Sequence, residues 1–147
     1  MTEITGTVFC DGGARGNPGP AAIGAVIKVK NKFTKNVDKL EISAYIGEKT
    51  NNEAEYQAVI KSLKETKKFL GKSKTKKTTL DFFIDSELIV MQLNRQYKIK
   101  EPRLLELFIK ANNEIIDFKK VNFYHIRREK NKEADALVSK ALDKQIR

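Results

Sequence analysis

Apolar residues recur with a period of two early in the chain and with a helical period later. The stretch from Thr5 to Cys10 is β-prone and ends at Asp11-Gly12-Gly13. The run from Gly12 to Pro20 that follows is too rich in glycine and proline for helix. Ala22 to Val29 reads as a second strand, Asn31-Lys32 as a turn, and Leu40 to Ile46 as a third strand in which Ile42, Ala44 and Ile46 alternate. Short connections between these strands imply an antiparallel meander.

From Glu53 to Leu70 the period changes. Tyr56, Val59, Ile60, Leu63 and Leu70 recur at helical spacing, and Gly71 stops the helix. A Lys-rich loop (Lys72, Lys74, Lys76, Lys77) leads to a strand from Thr79 to Ile84. Ser86 is placed to cap a short helix ending near Asn94, and Pro102 lies near the start of another, with Leu104, Leu105, Phe108, Ile109, Ile115 and Ile116 as its apolar face. Val121 to Ile126 reads as a fifth strand. Asn131 is placed to cap a last helix that turns Ala134, Leu137, Val138, Ala141 and Leu142 inward. The order βββ-α-β-α-α-β-α predicts one α/β domain over residues 1–147, with a mixed five-stranded sheet and helices on both its faces. The strands carrying Asp11 and Asp85 would then be parallel neighbours, with both aspartates at carboxyl ends, where such sheets gather ligands.

Composition narrows the class. Hydrophobic residues make up 40% and charged residues 33% of the 147, as in a soluble globular domain. No apolar stretch approaches the ~18 residues of a membrane span, and Met1-Thr2-Glu3-Ile4 lacks the start of a secretory signal. The single Cys10 excludes an internal disulfide and reads as a small buried residue, so a cytoplasmic location is expected. Lys plus Arg number 29 against 19 Asp plus Glu, a net charge of +10. That excess suits a polyanionic partner, and equally a Lys-rich surface with no such meaning.

Four acids stand where folding alone does not require them: Asp11 and Asp85 at strand ends, Glu55 and Asp135 in first turns of helices. Each has a structural competitor. Asp11 could cap the Gly-Gly bend, and Asp85 could favour a helix start beside Ser86. Glu55 could close a capping box with Asn52, unless Thr50 and Glu53 form the box and leave Glu55 free. Asp135 shares a helical stripe with Val138 and Leu142, which would place it at the border of the core. Converging at one sheet edge, these acids would repel one another and need a hard divalent cation. Asp81 shares the strand face of Asp85 but would lie ~13 Å away at ~3.3 Å per residue.

These residues match a known pattern. Asp11-Gly12-Gly13-Ala14-Arg15-Gly16-Asn17-Pro18-Gly19-Pro20 resembles the D-G-x-x-x-G-N-P-G-P signature of type 1 ribonuclease H. Thr50-Asn51-Asn52-Glu53-Ala54-Glu55 is similar to its T-N-N-x-x-E segment, Asp85-Ser86 to its third acidic motif, and Asn131 through Asp135 to its final N-x-x-x-D. The resemblance implies a metal-dependent endonuclease that cuts the RNA strand of RNA/DNA hybrids and leaves 3′-hydroxyl and 5′-phosphate ends. Asp11, Glu55, Asp85 and Asp135 would be the catalytic carboxylates and would hold two Mg²⁺ ions, with Mn²⁺ as a substitute. Gly12, Gly13, Arg15 and Asn17, with Asn51 and Asn52, would meet the minor groove of the hybrid while also serving turn and cap; Ser86, Arg127 and Arg128 are further substrate contacts.

The chain departs from that pattern in places. Many members carry a histidine in a loop before the last helix, whereas His125 lies inside the predicted strand and the loop reads Arg127-Arg128-Glu129-Lys130. The strand setting of His125 argues against a mobile proton shuttle, and Arg127, Arg128 or Glu129 are then candidates to assist proton movement in its place. Glu87 stands where many relatives have Gln. The sequence shows no counterpart of the basic protrusion, for which Lys98, Lys100 and Arg103 are either partial replacements or a solvated turn, and no hybrid-binding module is expected before the first strand. A monomer is expected, with double-stranded RNA as a second candidate substrate. The competing reading is a catalytically silent nucleic-acid-binding module, which predicts erosion of at least one acid.

Overall fold

The computed structural model describes residues 3–145, so the reading of the chain's start at Met1 and Thr2 lies outside the described residues. A hairpin and a third strand open the chain: β1 (Ile4–Ala14), β2 (Gly19–Asn31) and β3 (Val37–Lys49). Then follow α1 (Asn51–Leu70), a one-turn α2 (Lys72–Thr75), β4 (Thr78–Ile84), α3 (Glu87–Leu93), α4 (Pro102–Ile115), β5 (Lys120–His125), a 3-10 turn (Arg128–Lys130) and α5 (Lys132–Asp143). Where a Lys-rich loop was expected, α2 forms; buried Thr75 donates its hydroxyl to the Gly71 carbonyl. The first three strands are longer than their sequence signals, because the antiparallel ladder carries pairing into the turns.

The sheet has five strands in the order β3-β2-β1-β4-β5. The first three pair antiparallel, and β1–β4 and β4–β5 pair parallel, as expected. Alternation in β4 buries Thr78, Leu80, Phe82 and Ile84 on one face, where α1 and α4 pack. The main core lies there, with Val8, Ile27, Tyr56, Leu63, Phe82 and Leu104 among its members. On the other face α5 covers β2, and a smaller cluster forms from Ala22, Val138, Ala141 and Leu142. That two-sided cover explains why β2 is buried at every position from Ala21 to Ile27.

Two glycines set the helix distances. A Cβ on Gly12 would lie 2.3 Å from the Ala54 backbone of α1, and one on Gly24 would lie 2.3 Å from the Ala134 carbonyl of α5. Only bare backbone permits both approaches.

The apolar face expected for α4 is partly displaced. Leu104, Leu107 and Ala111 are buried, whereas Leu105, Ile109 and Ile116 are exposed, Ile116 to 76%. The core takes the stripe at spacings of three and four from Leu104, and Leu105 lies ~100° off it. Among the described residues no helix is long and apolar enough to cross a membrane.

Candidate active site

Register brings the two strand-end aspartates together. Phe9 pairs with Phe83 across the parallel β1–β4 ladder, so Asp11 and Asp85, each two residues further on, leave the sheet side by side. Both lie on the face opposite the main core. Glu55 arrives from the first turn of α1, which Thr50 caps. The Thr50 hydroxyl accepts from the Glu53 amide at 3.2 Å, and the Glu53 carboxylate accepts from the Thr50 amide at 3.0 Å. Of the two boxes open to the sequence, this one forms, and Glu55 is free.

One carboxylate oxygen from each of Asp11, Glu55 and Asp85 lies within 4.8 Å of the others. All three residues are half-buried, and Glu55 Oε2 is buried without a hydrogen-bond partner. Burial, then repulsion from Asp85, Glu55 and Asp135, pushes the Asp11 carboxyl up to about 8. Burial raises Glu55 to about 7 against the pull of Ser86 and the Arg128 charge, with Asp85 adding to the rise. An all-oxygen cluster in which burial suppresses the ionisation of Asp11 and Glu55, with one oxygen orphaned, is the donor set of a hard divalent cation. The residues fit such an ion.

Asp135 neighbours Asp11 without joining the group of three. It acts on Asp11 from the first turn of α5, yet it is exposed and lies outside the group of three. The expectation that it borders the core is corrected: the buried stripe begins at Ala134, because α5 rests Ala134 against Gly24 and turns Asp135 ~100° away.

Asn131 also differs from expectation. It occupies the N-cap position of α5 but makes no side-chain cap. Its Nδ2 instead donates to the Cys10 carbonyl at 2.9 Å and to Asp85 Oδ2 at 3.3 Å, fully buried. Nothing in the sequence pattern distinguishes this tie from a cap.

The proposed substrate contacts fall into three groups. Asn17 and Asn51 bind the hairpin turn to α1: Asn51 Oδ1 accepts from the Ala14 amide at 2.8 Å and Asn17 Oδ1 from the Asn51 amide at 3.0 Å. Gly12 and Gly13 lie at the end of β1, Asn52 in the first turn of α1, and Ser86 caps α3 through the Ile89 amide at 3.3 Å. Arg15 reaches Asp143 at 2.6 Å, Arg127 approaches Glu129 at 4.0 Å, and Arg128 is exposed while its charge reaches Glu55. His125 pairs with Ile84 rather than with Asp85, on the sheet face of buried Phe123.

The family model described as Reverse transcriptase-like matches residues 9–141. LC11-RNase H1, isolated from compost by a metagenomic approach, is 44% identical, with all of both chains covered and a TM-score of 0.81. The chain belongs to the type 1 ribonuclease H family. A further structure of LC11-RNase H1 holds an RNA/DNA hybrid. Ribonuclease HI of Halobacterium salinarum is 33% identical over 135 residues, which are 92% of this chain and 63% of that protein. A bifunctional protein of Mycobacterium tuberculosis is 36% identical over 136 residues but extends well beyond the match, which spans 35% of its length.

Proposed function

We propose that this chain is an endonuclease hydrolysing the RNA strand of RNA/DNA hybrids. The observation that carries the reading is the gathering of Asp11, Glu55 and Asp85 oxygens within 4.8 Å at the sheet edge of a protein of charge +10. Asp135, adjacent to Asp11, completes a set of four acids able to hold two Mg²⁺, with Mn²⁺ as a substitute. Divalent cations bound there supply Lewis-acid stabilisation of the phosphodiester and a water of lowered pKa. The chain's own residues do the rest. Glu55 and Asp11 give up protons to become ligands, and Asn131 fixes the orientation of Asp85. Arg128, whose charge reaches Glu55, would meet the scissile phosphate as a cation, and Arg127 and Glu129 stand on the same turn.

Support for the hybrid as substrate comes from the LC11 relative that holds one. Amides at Asn51 and Asn52, beside the turn at Gly12 to Asn17, are suited to the 2′-hydroxyls of a minor groove. We read the working unit as a cytoplasmic monomer.

The test is cleavage of a labelled hybrid with Mg²⁺, beside RNA/RNA and DNA/DNA duplexes, for wild type and Asp11→Asn. Hybrid cleavage that vanishes in the variant is expected, with a 3′-hydroxyl on the upstream fragment of each cut and a 5′-phosphate on the downstream one. Binding of the hybrid without cleavage would instead establish the silent module. Equal cutting of RNA/RNA would extend the substrate range to double-stranded RNA.

A further inference from the structure

Next to the carboxylates lies a row of aromatic rings that hydrolysis does not require. Phe9 stacks on Phe83 with centroids 4.9 Å apart and planes at 19°, and Phe83 on Tyr124 at 5.5 Å and 24°. The row crosses β1, β4 and β5 on the face that carries Asp11 and Asp85. Phe83 covers one face of the Phe9 ring. The other turns toward β2, where Val26 is the register partner of Phe9.

A cleft of about 310 Å³ opens there, floored by Phe9 and Val26 and flanked by Lys28, Lys130 and Lys132. Asn131 lines it as well, linking it to Asp85, and its buried Oδ1 has no partner. Glu129 and Glu133 line the remainder, but Arg127 and Lys39 already engage them at 4.0 and 3.8 Å. Among the described residues, none of the three lysines has a carboxylate within 4.0 Å. The cleft is therefore aromatic beneath and positive at its sides, and its size is at the lower end of the ~300–1,000 Å³ typical of small-ligand sites.

We propose that this cleft is a subsite for one unpaired nucleotide of the strand that runs past the carboxylates. Its base would lie on the floor that Phe9 and Val26 form at the end of the row of rings, and its phosphates would lie against Lys28, Lys130 and Lys132. A duplex offers no such base, since its faces are already stacked. Single-stranded nucleic acid is gripped elsewhere by the same pairing of aromatic platform and basic groove. The inference rests on the nuclease reading, and it assigns hybrids with a single-stranded extension as preferred substrates over blunt ones.

The test measures binding in EDTA, so that nothing is cut. Compared are a blunt hybrid, the same hybrid with a 5′ or a 3′ single-stranded extension carrying 2-aminopurine, and a longer blunt hybrid with the same number of added phosphates. One polarity of extension should tighten binding about tenfold, within the range one stacked base gives, and quench the probe. Phe9→Leu should abolish both the quenching and the preference, and Lys28→Glu with Lys132→Glu should lower the preference if Phe9→Leu fails to fold. Equal affinity for blunt and extended hybrids, or an equal gain from the longer blunt one, would overturn the proposal. Cleavage of the blunt hybrid with Mg²⁺, run alongside, reports separately on the nuclease reading.

Discussion

Asn131 donates its side-chain amide to Asp85 Oδ2 at 3.3 Å while also holding the carbonyl of Cys10 at 2.9 Å. Cys10 immediately precedes Asp11, so one buried amide ties both strand-end carboxylates to the start of α5. Asn131→Ala would leave the Cys10 carbonyl buried without its partner, a loss of about 1–3 kcal/mol. Hybrid cleavage should fall at least tenfold, about 1.4 kcal/mol in the barrier, through a misplaced Asp85. Thermal denaturation beside kcat/KM checks both. An unchanged kcat/KM with a lowered Tm would leave Asn131 a structural tie alone.

The raised carboxyls make a signed prediction about pH. Asp11 moves from 3.8 to about 8 and Glu55 from 4.5 to about 7, chiefly through burial. Between its unfolded and folded values such an acid binds more protons folded than unfolded, so stability falls as pH rises. The metal-free protein should therefore lose Tm between about pH 5 and about pH 8, and Asp11→Asn should flatten that slope. Cations compete with those protons, so metal affinity should climb over the same window with proton release. Melting curves in EDTA and in Mg²⁺ decide the matter; a Tm in EDTA that rose steadily with pH would contradict it.

The parts of the site legible in the sequence are those set by local rules. Thr50 and Glu53 satisfy a capping box within one turn, and that alone frees Glu55. The parallel pairing of β1 with β4 follows from the element order, and it puts Asp11 beside Asp85. What escaped depends on which neighbour a residue meets. Asp135 and Ala134 are both plausible members of the α5 stripe until Gly24, distant in sequence, selects Ala134. Leu105 and Ile109 are as apolar as Leu107, but the rotation of α4 is decided by its contact with α1. Asn131 satisfies every local criterion for a cap, and only the tertiary position of Cys10 gives its amide another acceptor.

The two close backbone approaches predict opposite outcomes for adjacent glycines. Gly12→Ala drives a methyl into the Ala54 backbone, whereas Gly13→Ala meets only Val138 Cγ1, at an ordinary 3.7 Å. The first should cost about 1–3 kcal/mol by overpacking; the second should remain within about 0.5 kcal/mol. Gly24→Ala should match Gly12→Ala, since backbone of α5 blocks it at 2.3 Å. Urea denaturation of the three variants orders them. Equal stability of Gly12→Ala and Gly13→Ala would show that α1 can move off the sheet.

His125 provides the last discrimination. It is the one histidine of the chain and lies ten residues before Asp135, which invites a proton-transfer role. The register places it opposite Ile84, and successive strand residues alternate in face. Its side chain therefore shares a face with Phe123, while Asp85 belongs to the face of Phe83 and Tyr124. A general acid or base that reached the scissile phosphate would contribute about 10²–10⁴-fold. His125→Ala should retain hybrid cleavage within about threefold, far short of that range, with an unshifted pH–rate profile. A loss of a hundredfold with the profile altered near neutrality would mean that the end of β5 turns over when substrate binds, and would move the proton-transfer role from the Arg127–Glu129 turn to His125.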